Sequence, residues 1–375
     1  MDLLALSEVR WGYFRTRKQF LLSRAPERWR VAFAQPPGSG GDDPWTPRAE
    51  GRVTTFTVPF LKPATTQPIY NAIAATRLGR AAIARAATRH LARRVAGLGL
   101  SPEVVMISNI YAVRSLAALR PRLTVYDFND SPFQFAGSPT WAREYWARTL
   151  ERVDMIFAVS EHYRRQLAAE TAKPVILLGN GVEFDHFAAP REEPDDMRDL
   201  PRPRIGYLGL LSHFLDFDVL EALRSGLGGG TLVLAGPGSQ ATEARVAALV
   251  ARGGGRVVRL GPRAYADAPA TMQAFDVGVI PFRAQDPYVQ GINPNKVYQY
   301  LASGIPVVTT PLLDLPAAPP MIQFASDPAG FGAAVARALA ASRDAGAIRT
   351  LARGHDWDAI AARMVSEIER RLPGA

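Results

Sequence analysis

The residues best suited by type and spacing to do chemistry lie between Asp276 and Pro311. A short apolar run at 277–280 is closed by Pro281, and a polar loop leads to Asn293-Pro294. Asn is a favoured helix N-cap and Pro fits the first helical position, so a helix is expected to start there, with Asn295 and Lys296 in its first turn. The unpaired N–H groups of that turn and the positive end of the helix dipole attract anions. Lys296, as third helical residue, opposes that dipole. A phosphate between them explains the arrangement; an ordinary surface lysine is the alternative. Gln299, about one turn further along the same face, offers an amide to a sugar hydroxyl. Asp130, beyond an apolar run at 124–128, is either a carboxylate at a strand's end placed to take a proton or the head of an Asx turn into a helix begun by Pro132. Asp127 is a neighbour of the same type.

Strands must carry these residues. In the second half, runs at 204–208, 232–235 and 257–260 are each followed by a glycine loop: Gly209-Leu210-Leu211-Ser212, Gly236-Pro237-Gly238 and Gly261-Pro262-Arg263. Glycine after a strand lets backbone approach a ligand closely, and three such loops before the Lys296 helix point to a nucleotide crevice. That helix should stop near Ser303-Gly304, before a strand at 306–310. In the first half, runs at 3–6, 30–34, 53–58, 104–108, 124–128, 155–159 and 175–178 read as further parallel strands. A basic helix is expected at 14–22, carrying Arg15, Arg17 and Lys18. A long helix is expected at 69–95, with Ile83, Ala87 and Leu91 in one row and Arg85, Arg89 and Arg93 opposite. It either packs with a solvated arginine face or lies on an anionic membrane. Residues 190–203 read as a linker, and 357–372 as a final helix with Ile360, Met364, Ile368 and Leu372 in one stripe.

The length of 375 residues is about two domains' worth, and there is no cysteine, which excludes disulfides and thiolate metal sites. The N-terminus lacks a secretory pattern and no run is long enough to span a bilayer, so a cytoplasmic protein is expected. Residues 1–185 hold 25 Lys/Arg against 16 Asp/Glu, which is the whole net charge of +9, and 51–100 hold eight Lys/Arg and no acid. A polyanionic partner is therefore expected for the first half only: anionic lipid, a lipid pyrophosphate or nucleic acid. No platform of interleaved aromatic and basic residues supports single-strand binding, so no nucleic acid is expected. Asp216-Phe217-Asp218 reads as helix capping, the five histidines lack metal-ligand spacing, and no metal is expected.

The pattern Pro294, Lys296, Gln299, Tyr300, Ala302, Gly304, Pro306-Val307-Val308 resembles the donor segment of GT-B glycosyltransferases, and Asn180-Gly181-Val182-Glu183 is similar to the signature closing their first domain. Gln299 stands where most retaining members carry Glu, and Gly291 where the partner Glu would fall. The K-x-x-Q-Y and Y-D-F-N-D forms look more like xanthan-type glucuronosyltransferases, whose catalytic Asp falls on Asp130. The resemblance implies an α/β fold of two facing Rossmann-like domains with parallel sheets, the active site between them. Their spans would be 1–187, joined by a returning C-terminal helix at 357–375, and 188–356. It implies donor-binding roles for Gly209, Leu211, Ser212, Gly261, Arg263, Phe282, Asn293, Asn295, Lys296 and Gln299, and a catalytic role for Asp130. It further implies transfer of a sugar from a nucleoside-diphosphate sugar, UDP favoured, to a lipid-linked or glycoconjugate acceptor at the cytoplasmic membrane face. No cofactor is expected beyond that co-substrate, and the outcome would be inversion. A nucleotide-sugar epimerase and a non-catalytic nucleotide- or nucleic-acid-binding protein are the alternatives.

Overall fold

The computed structural model describes residues 1–12, 15–38, 45–63, 65, 67–133, 138–312 and 314–372. The chain divides into two units, one made of Met1–Gly179 with Asp358–Ala375, the other of Asn180–Trp357. The first is built on eight strands: β1 (Asp2–Leu6), β2 (Arg30–Gln35), β3 (Arg48–Glu50), β4 (Val53–Thr57), β5 (Val104–Ile107), β6 (Leu123–Phe128), β7 (Met155–Ala158) and β8 (Val175–Leu177). Their order is β3-β4-β2-β1-β5-β6-β7-β8. Only β3 runs antiparallel, at the edge; its exposed Arg-Ala-Glu gave no apolar signal in the sequence. The apolar runs are unbroken because both faces of a parallel sheet are covered. From β1 the chain winds to β2 on one side and later returns to β5 on the other. Their C-terminal ends thus form a topological switch point, where open sheets bind ligands.

Helix α1 is Arg17–Ser23. It starts three residues later than expected, because Thr16 and Gln19 form a reciprocal capping box there; Phe14 lies outside the described residues. The expected single helix at 69–95 is two, α2 (Pro68–Ala75) and α3 (Arg77–Gly97). Thr76 breaks the path with an extended backbone (ψ 148°), ends α2, and accepts the Gly79 N–H to begin α3. Ala87, Leu91 and Val95 of α3 lie in the core with Leu4, Ile107 and Phe128, so the apolar row packs inward and Arg85, Arg89 and Arg93 face solvent. The last helix, Trp357–Arg371, joins the first unit through buried Met364, Ile368 and Leu372. Asp358 pairs with Arg24 and Glu369 with Arg28, both at 2.5 Å.

The second unit has a six-stranded parallel sheet: β9 (Arg204–Leu208), β10 (Thr231–Ala235), β11 (Val257–Leu260), β12 (Val277–Ile280), β13 (Val307–Thr309) and β14 (Ile322–Phe324), in the order β11-β10-β9-β12-β13-β14. Its switch point lies between β9 and β12. Residues 190–203 are part of this unit rather than a free linker. Met197 of a short helix, Asp195–Arg198, is fully buried, and Arg204 pairs with Glu193 and donates to the Leu200 carbonyl at 2.9 Å.

Candidate active site

The site in the second unit is assembled at its switch point. The Lys296 helix is Asn295–Ala302. Its N-cap is Pro294 and not Asn293, so Lys296 is the second helical residue, and no N-cap side chain covers the first N–H groups. The reason is that buried Asn293 is engaged elsewhere. Its carbonyl accepts the Asn180 amide at 2.7 Å and its own amide reaches Asp314 at 3.4 Å. Asn293 thus anchors the helix to the start of the unit. Half-buried Asn295 opens the helix, and half-buried Gln299 follows on it.

Lys296 lies directly on the loop after β9. A Cβ placed on Gly209 would stand 1.9 Å from Lys296 Cε and 2.6 Å from Nζ, so only glycine admits this approach. Nζ is 5.8 Å from the centre of the Tyr207 ring. Among the described residues no carboxylate pairs with it. Burial alone therefore acts on the ammonium, pushing its pKa down to about 8. Lys296 is thus an ammonium in the first turn of a helix, laid against a glycine loop, an arrangement of the kind that attracts anions.

The glycine loops interlock around it. Gly209 donates to the Ala235 carbonyl at 2.9 Å and Leu211 to Pro237 at 2.7 Å, while a Cβ on Gly236 would meet the Gly209 carbonyl at 2.2 Å. Leu211 is a core residue with its side chain fully buried, so it positions the loop and offers no side chain to a ligand. Phe282 is likewise buried, ring to ring with Phe214 at 4.9 Å. Ser212 is half-buried, beside the exposed His213, with Oγ 3.1 Å from the His213 ring. Gly261 is exposed and accepts from the Gly236 N–H at 3.2 Å. The Arg263 guanidinium is held by Asp196 at 2.5 Å. Asp216 caps the next helix, accepting from the N–H groups of Asp218 and Val219, so the D-x-D triplet is capping chemistry. Among the described residues no cluster of His, Asp and Glu could hold a metal.

One participant has a role that the sequence reading left unassigned. Tyr300 is fully buried; its hydroxyl accepts from the Leu208 N–H at 2.9 Å and donates to the Gly206 carbonyl at 3.3 Å. β12 pairs with β9 only at Val277 and Gly278, which leaves the end of β9 open to this hydroxyl. Tyr300 therefore pins the Lys296 helix to the strand that carries the Gly209 loop.

In the first unit, Asp130 lies half-buried just beyond β6, with the Asn129 amide on its Oδ2 at 2.5 Å. Among the described residues no helix starts at Pro132, and the next described one begins at Ala142. Asp127 has a different fate. It is buried and accepts from Arg17 Nε at 2.9 and 3.2 Å, while Arg17 also donates to the Gly179 carbonyl at 2.7 Å. Its carboxylate is structural. Lys18 donates to Glu8 at 2.7 Å. Burial pulls the Lys18 pKa down, but Glu8, Asp127 and Asp130 outweigh it and hold the ammonium above its ordinary value. The sequence showed Arg17 and Lys18 only as members of a basic helix; nothing local named their acidic partners, Asp127 being 110 residues from Arg17.

Residues 203–341 match the family model for Glycosyl transferases group 1. The chain is 28% identical over 172 residues to a Bacillus subtilis (strain 168) protein named "Putative teichuronic acid biosynthesis glycosyltransferase TuaH", a match covering 44% of this chain and 42% of that one, less than half of either. Its fold is similar to that of sucrose-phosphate synthase from Thermosynechococcus elongatus (TM-score 0.71, 18% identity, 99% and 98% of the two chains covered). It is also similar to that of Anabaena Alr3699/HepE in complex with UDP (TM-score 0.67, 16% identity, 98% and 99% covered). The chain therefore has the GT-B fold, and residues 203–341, within its second unit, are similar to the group 1 glycosyl transferases.

Proposed function

We propose that the protein transfers a sugar, a hexose or a hexuronic acid, from its UDP conjugate to a hydroxyl of a lipid-linked or polysaccharide precursor at the cytoplasmic membrane face. The observation that carries this reading is Lys296, desolvated without a carboxylate partner and laid over Gly209 at the amino end of a helix. The acceptor oxygen attacks the anomeric carbon as the bond from that carbon to the diphosphate oxygen breaks. The electron pair leaves with UDP, where Lys296 and the helix N–H groups stabilise it without a metal. The acceptor proton goes to Asp130, the proposed base, and attack from the face opposite UDP inverts the anomeric centre. The Gly261–Arg263 backbone is the proposed base-reading segment, Gly209, Ser212 and Asn295 the diphosphate contacts, and Gln299 the hydroxyl contact. UDP is favoured because a protein of this fold has been solved with it, and a polysaccharide precursor because the Bacillus relative is named for teichuronic acid biosynthesis.

The test is calorimetric titration with UDP-, GDP- and dTDP-sugars. UDP-sugars are expected to bind, K296A to abolish binding, and D130N to keep binding while losing transfer. Heat from none of these donors, or unchanged binding by K296A, overturns the reading.

A further inference from the structure

Five large apolar side chains are exposed among the described residues, and three of them share one corner of the first unit: Ile69 (78% exposed) and Ile73 (46%) on α2, and Leu78 (86%) in the first turn of α3. Isolated exposed leucines are ordinary; a cluster is not. The corner is built to hold them out. Thr76 ends one helix and begins the next. Arg80, buried, donates to the carbonyls of Ala74 and Ala75 at 3.0 and 2.8 Å, closing the end of α2. Gly79 passes so close that a Cβ there would lie 2.0 Å from the Ile73 carbonyl oxygen. The backbone, closed by these contacts, presents three aliphatic side chains to solvent.

The charge around them has one sign. Arg77, Arg85, Arg89 and Arg93 of α3 are exposed. None has a carboxylate within 4.0 Å among the described residues, and 51–100 contain no acid at all. Elsewhere on the surface arginines are commonly paired, as in Arg164–Glu161, Arg224–Glu221 and Arg371–Glu367. Aliphatic side chains that can enter an interface, flanked by unpaired arginines, match an anionic bilayer. Nucleic acid supplies the charge but would ask for stacking rings in place of Ile and Leu.

We propose that the α2–α3 corner is a membrane-docking surface, inserting Ile69, Ile73 and Leu78 among the acyl chains of an anionic lipid leaflet while α3 sets its arginines against the headgroups. This gives the membrane-side acceptor of the proposed function its contact surface and rests on that reading. Nucleotide binding reports on the donor site and vesicle binding on this corner, so the two fail separately.

The experiment is flotation of the full chain with vesicles of phosphatidylcholine alone or with phosphatidylglycerol. Wild type is expected to float with the anionic vesicles only. I69S/I73S/L78S should lose about tenfold or more of that partition, while its UDP-sugar titration matches wild type. R85S/R89S/R93S should bind more weakly and with less salt dependence. Because the chain has no cysteine, L78C carries the only thiol. An environment-sensitive dye there should shift to the blue on anionic vesicles, and the same dye on A241C should not. Failure of wild type to float, equal flotation of the triple aliphatic variant, or an unshifted dye at 78 overturns the proposal. So does retardation of RNA or DNA without vesicle binding.

Discussion

Lys296 carries its charge at a cost that a bound diphosphate would repay. Its pKa in the folded protein, about 8 against an ordinary 10.5, means that the unfolded chain holds the proton more tightly. Between those values the unfolded state binds more protons, so the unliganded protein gains stability as pH rises through that window and is flat below it. Binding runs the other way. Below pH 8 the ammonium is already present; above it the complex must take up a proton, so UDP affinity should fall by up to about tenfold per pH unit. Calorimetry from pH 6.5 to 9.5 should show that fall in wild type and not in K296R, whose guanidinium stays charged. An identical slope in both would assign the effect to another group. The two acidic candidates in the first unit separate as well. D127N removes the carboxylate charge beside buried Arg17 and should cost about 3–5 kcal/mol in chemical denaturation. D130N should cost no more than about 1.5 kcal/mol while slowing transfer by about 10²–10⁴-fold. At this scale the sequence was legible where chemistry is local, as with the glycine after β9 and the lysine in a first turn. It was mute where a residue answers to a distant partner. Asp127 and Asp130 look alike until Arg17 arrives from 110 residues away, and Asn293 looks like a cap until Asn180 claims it.

Strands β9 to β12 of the second unit end where glycine or proline closes their apolar runs, because such a run has few other solutions in a parallel sheet. Helix joints were harder. The break at Thr76 falls in a stretch otherwise rich in Ala, Leu and Arg, where a single Thr and Gly79 gave little warning; the cap by Thr76 and the reach of Arg80 close the bend. The short helices Asp195–Arg198 and Pro287–Gly291 were invisible to periodicity, being barely one turn long. Tyr300 supplies the test of how the Lys296 helix is seated. Y300F leaves the Leu208 N–H buried and unmatched, and should cost about 1–3 kcal/mol. It should also weaken UDP binding without abolishing it, since the lysine and the loop remain but lose their register. G278A meets the same ring at 2.7 Å and should behave similarly. Unchanged denaturation midpoints in both would show that the hydroxyl does not seat the helix.

The two units differ in how the chain makes them. The second is a single stretch, Asn180–Trp357, whereas the first needs residues from both ends of the protein. A chain stopped after Trp357 should therefore damage the first unit alone, uncovering the surface that Met364 and Ile368 fill, while nucleotide binding by the second persists. Differential scanning calorimetry of that truncation should show one transition lowered or lost and the other still raised by UDP. If both transitions fall together, the second unit depends on the returning helix. The charge is as uneven as the connectivity, with all of the excess before residue 186.

The stem of Lys296 fills the very space that a side chain at position 209 would occupy. Bulk at 209 would strain a backbone held at φ +154° and make the flexible stem of Lys296 swing aside. In a large set of descendants, glycine at the first position should therefore travel with lysine at the second.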